Sequence, residues 1–240
     1  MTDSPRIALV IPAYNEERLL PRLLDTVDAA RRRFAGAVEV IVADNMSTDG
    51  TAHIARERGC TVVTATIRNI GAVRNAGIRA STGAIVATVD ADHRVHPDTF
   101  SEIDRLMHDP RVIAGSSGAR PERWSLGIAA TFALLLPVVW LLKIDTGVVF
   151  CRREDFAAVG GYDENRPVAE DVMFLLALRR LGRSRGQRLV RARRAKVIGS
   201  MRKFDEHGDW HYFRWLPKTP RMMKNRVSDR FLAYWYRPDR

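Results

Sequence analysis

Apolar residues in the first half of the chain alternate between two periods. Residues 7–11 (IALVI) form an unbroken apolar run closed by Pro12, the pattern of a buried strand. Across residues 16–34, Leu19, Leu20, Leu23, Leu24 and Val27 fall at helical spacing. Residues 38–43 (VEVIVA) are strand-like and end at Asp44; the Asp49-Gly50 turn then leads into a helix over 51–58. A strand over 61–65, a helix over 71–80 and a buried strand over 84–89, ending at Asp90, continue the alternation. Residues 98–107 read as a helix and 112–114 as a short strand; farther on, 146–151 read as a strand and 169–181 as a helix. Strand–helix alternation of this kind predicts an α/β domain on a doubly wound, mostly parallel sheet with helices on both faces. Ligands of such sheets sit outside the carboxyl ends of the strands. The polar clusters at 12–17, 44–49 and 90–92 fall at those ends.

One segment breaks the pattern. Residues 126–142 (LGIAATFALLLPVVWLL) run without a charge, slightly short of the roughly 20 residues that a membrane-spanning helix needs. Pro137 would kink it. A span would also part the acids at 90–92 from those at 170–171, which is impossible if they share a site. The expectation is a buried or interface helix, with a membrane-surface helix as the alternative.

Composition adds the compartment and the charge. The 240 residues include 46% apolar side chains and two cysteines, Cys60 and Cys151, which excludes disorder, a disulfide scaffold and a thiolate zinc site. A reducing, cytoplasmic setting fits, and residues 1–6 carry no secretory signal. The net charge of +11 is unevenly placed: residues 1–182 hold 22 Lys/Arg against 23 Asp/Glu, whereas 183–240 hold 17 against 5. The basic quarter favours anionic partners, an anionic membrane surface among them, or is simply a solvated face. Within it, Met223, Val227, Phe231 and Tyr234 form a helical stripe interrupted by Arg230, fit for docking on lipid or for packing on the domain. The expected division is a catalytic unit over 1–204 and a basic, aromatic extension over 205–240.

The chemistry lies in acids at strand ends. No G-x-G-x-x-G follows the first strand, and neither a phosphate-binding G-x-x-x-x-G-K-[ST] loop nor H-E-x-x-H is present. Asp90-Ala91-Asp92 puts two carboxylates on alternate positions, facing the same way from an extended chain. Such a pair suits Mg²⁺ or Mn²⁺ shared with a substrate diphosphate, or else serves only as loop and cap carboxylates. Before it come Ile11-Pro12-Ala13-Tyr14-Asn15-Glu16-Glu17, Asp44-Asn45-Met46-Ser47-Thr48-Asp49-Gly50-Thr51 and Arg68-Asn69-Ile70-Gly71-Ala72-Val73-Arg74-Asn75-Ala76-Gly77. After it come Gly160-Gly161-Tyr162-Asp163-Glu164 and Ala169-Glu170-Asp171-Val172.

In that order, over residues 7–182, these motifs make the chain resemble a bacterial family 2 glycosyltransferase with the Rossmann-like GT-A fold. The resemblance implies a metal-dependent, inverting enzyme that moves a sugar from a nucleoside diphosphate sugar to an acceptor hydroxyl, lipid-linked or membrane-proximal. It implies that Pro12, Tyr14 and Glu16 border the nucleotide, that Asp44 reads the base, and that Gly71 and Arg74 lie near the nucleotide and its phosphates. Asp90 would lie toward the ribose and Asp92 would hold the divalent cation, Mn²⁺ or Mg²⁺. Asp171, or Glu170 beside it, would be the base; the alternative for Asp171 is a helix N-terminal carboxylate facing the dipole. His207, four residues before His211, matches the late metal ligand of some GT-A enzymes, although Gly208 weakens a helix there. Two other readings remain: a nucleotidyltransferase, disfavoured because the first loop lacks glycine, and a non-catalytic binder of anionic lipid or nucleic acid acting through the basic tail. Nucleic acid is not the expected partner.

Overall fold

A computed structural model describes residues 5–142 and 144–214. The basic, aromatic stripe read at 218–236, with Trp215, lies outside the described residues. Strands β1 (Ile7–Ala13), β2 (Val38–Asp44), β3 (Thr61–Thr64) and β4 (Ile85–Thr88) alternate with helices α1 (Leu20–Arg33), α2 (Thr51–Glu57) and α3 (Ile70–Arg79). Then follow α4 (Thr99–Met107), β5 (Val112–Ser116), β6 (Ala119–Pro121), α5 (Leu126–Leu142), β7 (Val149–Arg152) and α6 (Arg153–Ala158). Helix α7 (Glu170–Ser184), β8 (Arg188–Arg191), β9 (Val197–Gly199), α8 (Arg202–His207) and a 3-10 turn (His211–Arg214) complete it.

The main sheet has the order β3-β2-β1-β4-β7-β5-β8. Strand β1 pairs in parallel with β2 up to Ala13↔Asp44 and with β4 up to Val10↔Thr88. The chain winds outward from β1 to β3 and then returns to β4, so the β1–β4 boundary is where a crevice opens at the carboxyl ends. The alternation read in the sequence is therefore the one observed, with one departure. Strand β7 enters antiparallel to both β4 and β5 and separates them. Every residue of β1 is buried, because helices cover both faces. Ile7, Leu9 and Ile11 face Leu20, Leu23, Val27 and Phe100 of α1 and α4. Ala8 and Val10 face Val73, Ile78, Phe174 and Leu178 of α3 and α7. This is the period-2 strand pattern meeting two helical layers.

Helix α1 starts at Leu20, not near residue 16, because Pro21 fits only the first turn. The backbone N–H of Glu16 instead donates to Thr51 Oγ1 at 2.8 Å, which ties the loop after β1 to α2. Over residues 126–134 helix α5 buries Gly127, Ile128 and Thr131 and exposes Leu126, Ala129, Ala133 and Leu134, and among the described residues no helix is long and apolar enough to cross a membrane.

Candidate active site

A cavity of about 340 Å³ opens at the carboxyl ends of β1 and β4. Pro12, Ala13, Tyr14 and Glu16 form one wall, Asn45 and Arg68 the next. Arg74 enters from α3, Asp90 and Asp92 from the end of β4, Glu170 and Asp171 from the start of α7, and Arg202 and Lys203 from α8. The acids at 90–92 and 170–171, eighty positions apart, thus line one space. The loop turns that deliver them are tight. Among the described residues, the non-glycine positions with positive φ are Asn15 (51°), Met46 (58°) and Ala169 (56°), each beside a lining residue. Left-handed backbone costs Met and Ala roughly 1–2 kcal/mol apiece.

Arg74 organises the floor. Its side chain is 7% exposed; it donates to Glu170 Oε1 and, at 2.6 Å, to Asp90 Oδ1. Its guanidinium also lies 5.4 Å from the centre of the Tyr162 ring. Arg202 spans the mouth, donating to both Glu16 carboxylate oxygens at 3.1 Å and to Asp92 Oδ2 at 3.4 Å. The ring Nδ1 of His93 lies 2.9 Å from Asp92 Oδ1. Asp90, Asp92 and His93 each offer one ligand atom, and these atoms lie within 4.8 Å of one another. Two carboxylates suit Mn²⁺ or Mg²⁺, whereas the His93 imidazole beside them is engaged with Asp92. The Arg202 guanidinium lies between Asp92 and Glu16, against the oxygens of both.

The family model for glycosyl transferase family 2 matches residues 8–140, more than half of the chain. The chain belongs to that family. Over 108 residues it is 42% identical to the undecaprenyl-phosphate 4-deoxy-4-formamido-L-arabinose transferase of Pseudomonas paraeruginosa, covering 42% of this chain and 31% of that protein. Over 103 residues it is 35% identical to an uncharacterized glycosyltransferase of Mycobacterium bovis, covering 41% and 44%. The matches span less than half the length of these curated relatives. The structure superposes on the mannosyltransferase PcManGT from Pyrobaculum calidifontis in complex with GDP-Man and Mn²⁺ with a TM-score of 0.63 and 26% identity, covering 79% of this chain and 55% of that one. On S. aureus TarS in complex with UDP the TM-score is 0.63 at 19% identity, covering 81% and 60%, a likeness of fold. The fold is GT-A.

In this family 2 chain the residues singled out in the sequence divide into groups. Pro12, Tyr14, Glu16, Arg74, Asp90, Asp92, Glu170 and Asp171 line the cavity. Asp44 is buried just behind the wall, where both carboxylate oxygens accept the Ser47 N–H at 3.3 Å, and its neighbour Asn45 faces the cavity. Gly71 is also set back; a Cβ there would lie 3.0 Å from the Asp163 carbonyl oxygen, so it lets α3 approach the 160s loop. His207 does not line the cavity. It stands 3.9 Å from Glu206, with its ring 5.8 Å from that of His211.

Charge states follow from burial. Glu170 is pushed up to about 6 by burial, with Arg74 acting in the opposite direction. Burial likewise raises the Asp171 carboxyl, again opposed by Arg74. Burial opposes protonation of His93, but the Asp92 hydrogen bond prevails and its pKa is raised. Motif reading missed His93, Asn45, Arg68 and Arg202. His93 directly follows the acidic pair, and Arg202 and Lys203 are adjacent basic residues just before the extension at 205–240, so both lay within view. Arg68, whose guanidinium covers the Tyr14 ring at 4.7 Å, is recognisable only once two loops meet.

Proposed function

We propose that this chain transfers a sugar from a nucleoside diphosphate sugar to an acceptor hydroxyl, with inversion at the anomeric carbon and with the help of Mn²⁺ or Mg²⁺. The observation that carries this reading is the convergence of Asp90 and Asp92 with Glu170 and Asp171 on one cavity. The family, and the GDP-Man and Mn²⁺ of the mannosyltransferase neighbour, support the donor class. Undecaprenyl phosphate, named for the Pseudomonas relative, is a lipid phosphate and not a hydroxyl acceptor; it supports only an acceptor that is lipid-linked or membrane-proximal, and with it a peripheral place at a membrane. In this reading residues 1–204 are the transferase unit and 205–240 a basic extension.

Asp92, with Asp90 and His93 beside it, would hold the cation; His207 joins only if α8 shifts. When bound, the cation supplies charge stabilisation for the departing diphosphate. Tyr14 and Arg68 offer a flat, cationic surface to the base, and Asn45 faces the same wall. Arg202 can turn from Glu16 and Asp92 toward the incoming diphosphate, where charge accumulates. Arg74 holds Glu170 and Asp90 in place and keeps Glu170 engaged. Asp171 is then the carboxylate left to take the acceptor proton as the hydroxyl attacks the face opposite the leaving group. Its Oδ1 accepts the Val172 N–H at 2.7 Å, which orients it.

Thermal denaturation with UDP and GDP, with and without Mn²⁺, tests the reading. Nucleotide and cation together should raise the melting temperature, and neither alone should match them. Asp92→Asn should abolish the shift. Asp171→Asn should keep it while turnover falls about 10²–10⁴-fold, the usual worth of a general base. A shift independent of Mn²⁺ in the wild type, or full turnover in Asp171→Asn, would overturn the corresponding role.

A further inference from the structure

Strands β6 and β9 form a parallel ribbon of their own beside the main sheet. Ala119 pairs with Val197, Arg120 with Ile198 and Pro121 with Gly199. Side chains alternate along each strand, and paired residues point the same way. Val197, Pro121 and Gly199 are the buried inner face, through which Val197 and Ala119 join the core beneath α1 and α4. Arg120, Ile198 and, one residue before β9, Lys196 are the outer face, where both cations are exposed. Strand spacing and rise put the Arg120 and Lys196 backbones about 8 Å apart. The turn before β9 is closed by the Ala195 N–H, which donates to the Ala192 carbonyl oxygen at 3.1 Å. It buries those two alanines and leaves Arg193 and Arg194 exposed beside Lys196.

These four cations have no ion pair among the described residues. The neighbouring acids are already held. Glu122 Oε1, just past β6, accepts from Arg22 at 2.5 Å and from Arg94 at 2.8 Å. Asp145, which lies against Gly118, is paired with Arg191. Residues 183–204, all of them described, contain nine Lys/Arg and no Asp/Glu. Like charges held this close repel, and a multiply charged anion between them removes the repulsion. Long Arg and Lys side chains at that separation can converge on one phosphate, the guanidinium giving paired donors and the ammonium a point charge.

The ribbon is continuous with the cavity. Ile198 bridges Arg94, two residues past Asp92. A Cβ on Gly199 would lie 3.5 Å from His93 Nε2, and Arg202, soon after β9, lines the cavity. Two strand spacings and two residues part Arg120 from Asp92, about 12 Å between backbones. A molecule with its reacting end in the cavity can therefore lay a phosphate on the ribbon. We propose that the outer face of the β6–β9 ribbon, with Arg193 and Arg194 at its entry, binds a phosphate carried by the acceptor, away from the hydroxyl that reacts. Phosphate binding stands on the cations alone; its assignment to the acceptor rests on the function proposed above.

Calorimetric titration of the full chain with geranyl phosphate, glycerol 3-phosphate and uncharged geraniol tests this. One or both phosphates should bind and geraniol should not; binding of geranyl phosphate alone marks a lipid-linked source, and of glycerol 3-phosphate a soluble one. Arg120→Ser combined with Lys196→Ser should weaken phosphate binding at least about tenfold, through the loss of two charge-assisted contacts. Arg180→Ser combined with Arg183→Ser removes the same charge from exposed positions of α7 and should leave binding unchanged. All four side chains are exposed, so both variants should keep the wild-type melting temperature and the nucleotide–Mn²⁺ shift. No binding of either phosphate, unchanged binding in the ribbon variant, or an equal loss in the α7 variant would overturn the proposal. Tighter binding of a single-stranded oligonucleotide than of either phosphate, lost in the ribbon variant, would overturn it in favour of nucleic acid. Phosphate binding without nucleotide-dependent stabilisation would sink the transferase reading and leave the ribbon site standing, and the converse result would sink the ribbon site alone.

Discussion

At the scale of single residues, Arg74 shows how one buried charge can hold several acids of a cavity in place. Its resemblance-based place was near the phosphates; in the structure its guanidinium is spent on Glu170 and Asp90. Removing one partner from a buried ion pair strands the other. Arg74→Ala should therefore destabilise the protein by about 3–5 kcal/mol, measured by urea denaturation, and a loss below 1 kcal/mol would contradict the buried pairing. Asp171 makes a different prediction. The base must be ionised to work, and burial holds its carboxyl above the ordinary aspartate value. The acid limb of kcat/KM should accordingly lie closer to neutrality than that of an ordinary carboxylate, activity falling as pH drops through it. Asp171→Asn should abolish that limb along with most turnover. A limb at the usual aspartate position would contradict the burial.

At the scale of elements, the loops after the strands carry the strain. Ala169, the residue before α7, adopts φ 56°, a conformation that glycine takes freely. Ala169→Gly should raise stability by roughly 0.5–1 kcal/mol, as seen in a denaturant midpoint, while the freed backbone lowers turnover by loosening Asp171. Unchanged stability would mean that the strain is absent. The elements themselves were largely legible in the sequence. Five strands and four helices of the first half follow from apolar runs and helical spacing; β1, β2 and β4 are nearly continuous apolar runs because both faces of the sheet are covered there, whereas edge strand β3 is half exposed. The reversal of β7 was not legible, since Val149–Arg152 carries the same buried pattern in either direction. Nor was the two-stranded pair β6–β9, each strand being three residues long. The 17-residue apolar run was legible as a helix, but which of its sides would face water depended on where residues 201–212 came to rest.

At the scale of the whole molecule, the site is an assembly of distant chain segments. Nucleotide and Mn²⁺ bound there should slow amide exchange at 90–92, 169–172 and 202–204 together, detectable by deuterium-exchange mass spectrometry. Protection confined to one of these segments would deny them a common ligand. The sequence by itself determined the layers, the acids at the strand ends and the excess of positive charge toward the end of the chain. All of these are written in local period and composition. Only the tertiary structure decided that Asp90, Glu170 and Arg202 share one cavity, that Arg74 is a buried counter-ion, and that α5 keeps an apolar side to water. Those outcomes depend largely on how the chain closes loops of about seventy residues and more, and closure over such lengths leaves no periodic trace in the residues it joins.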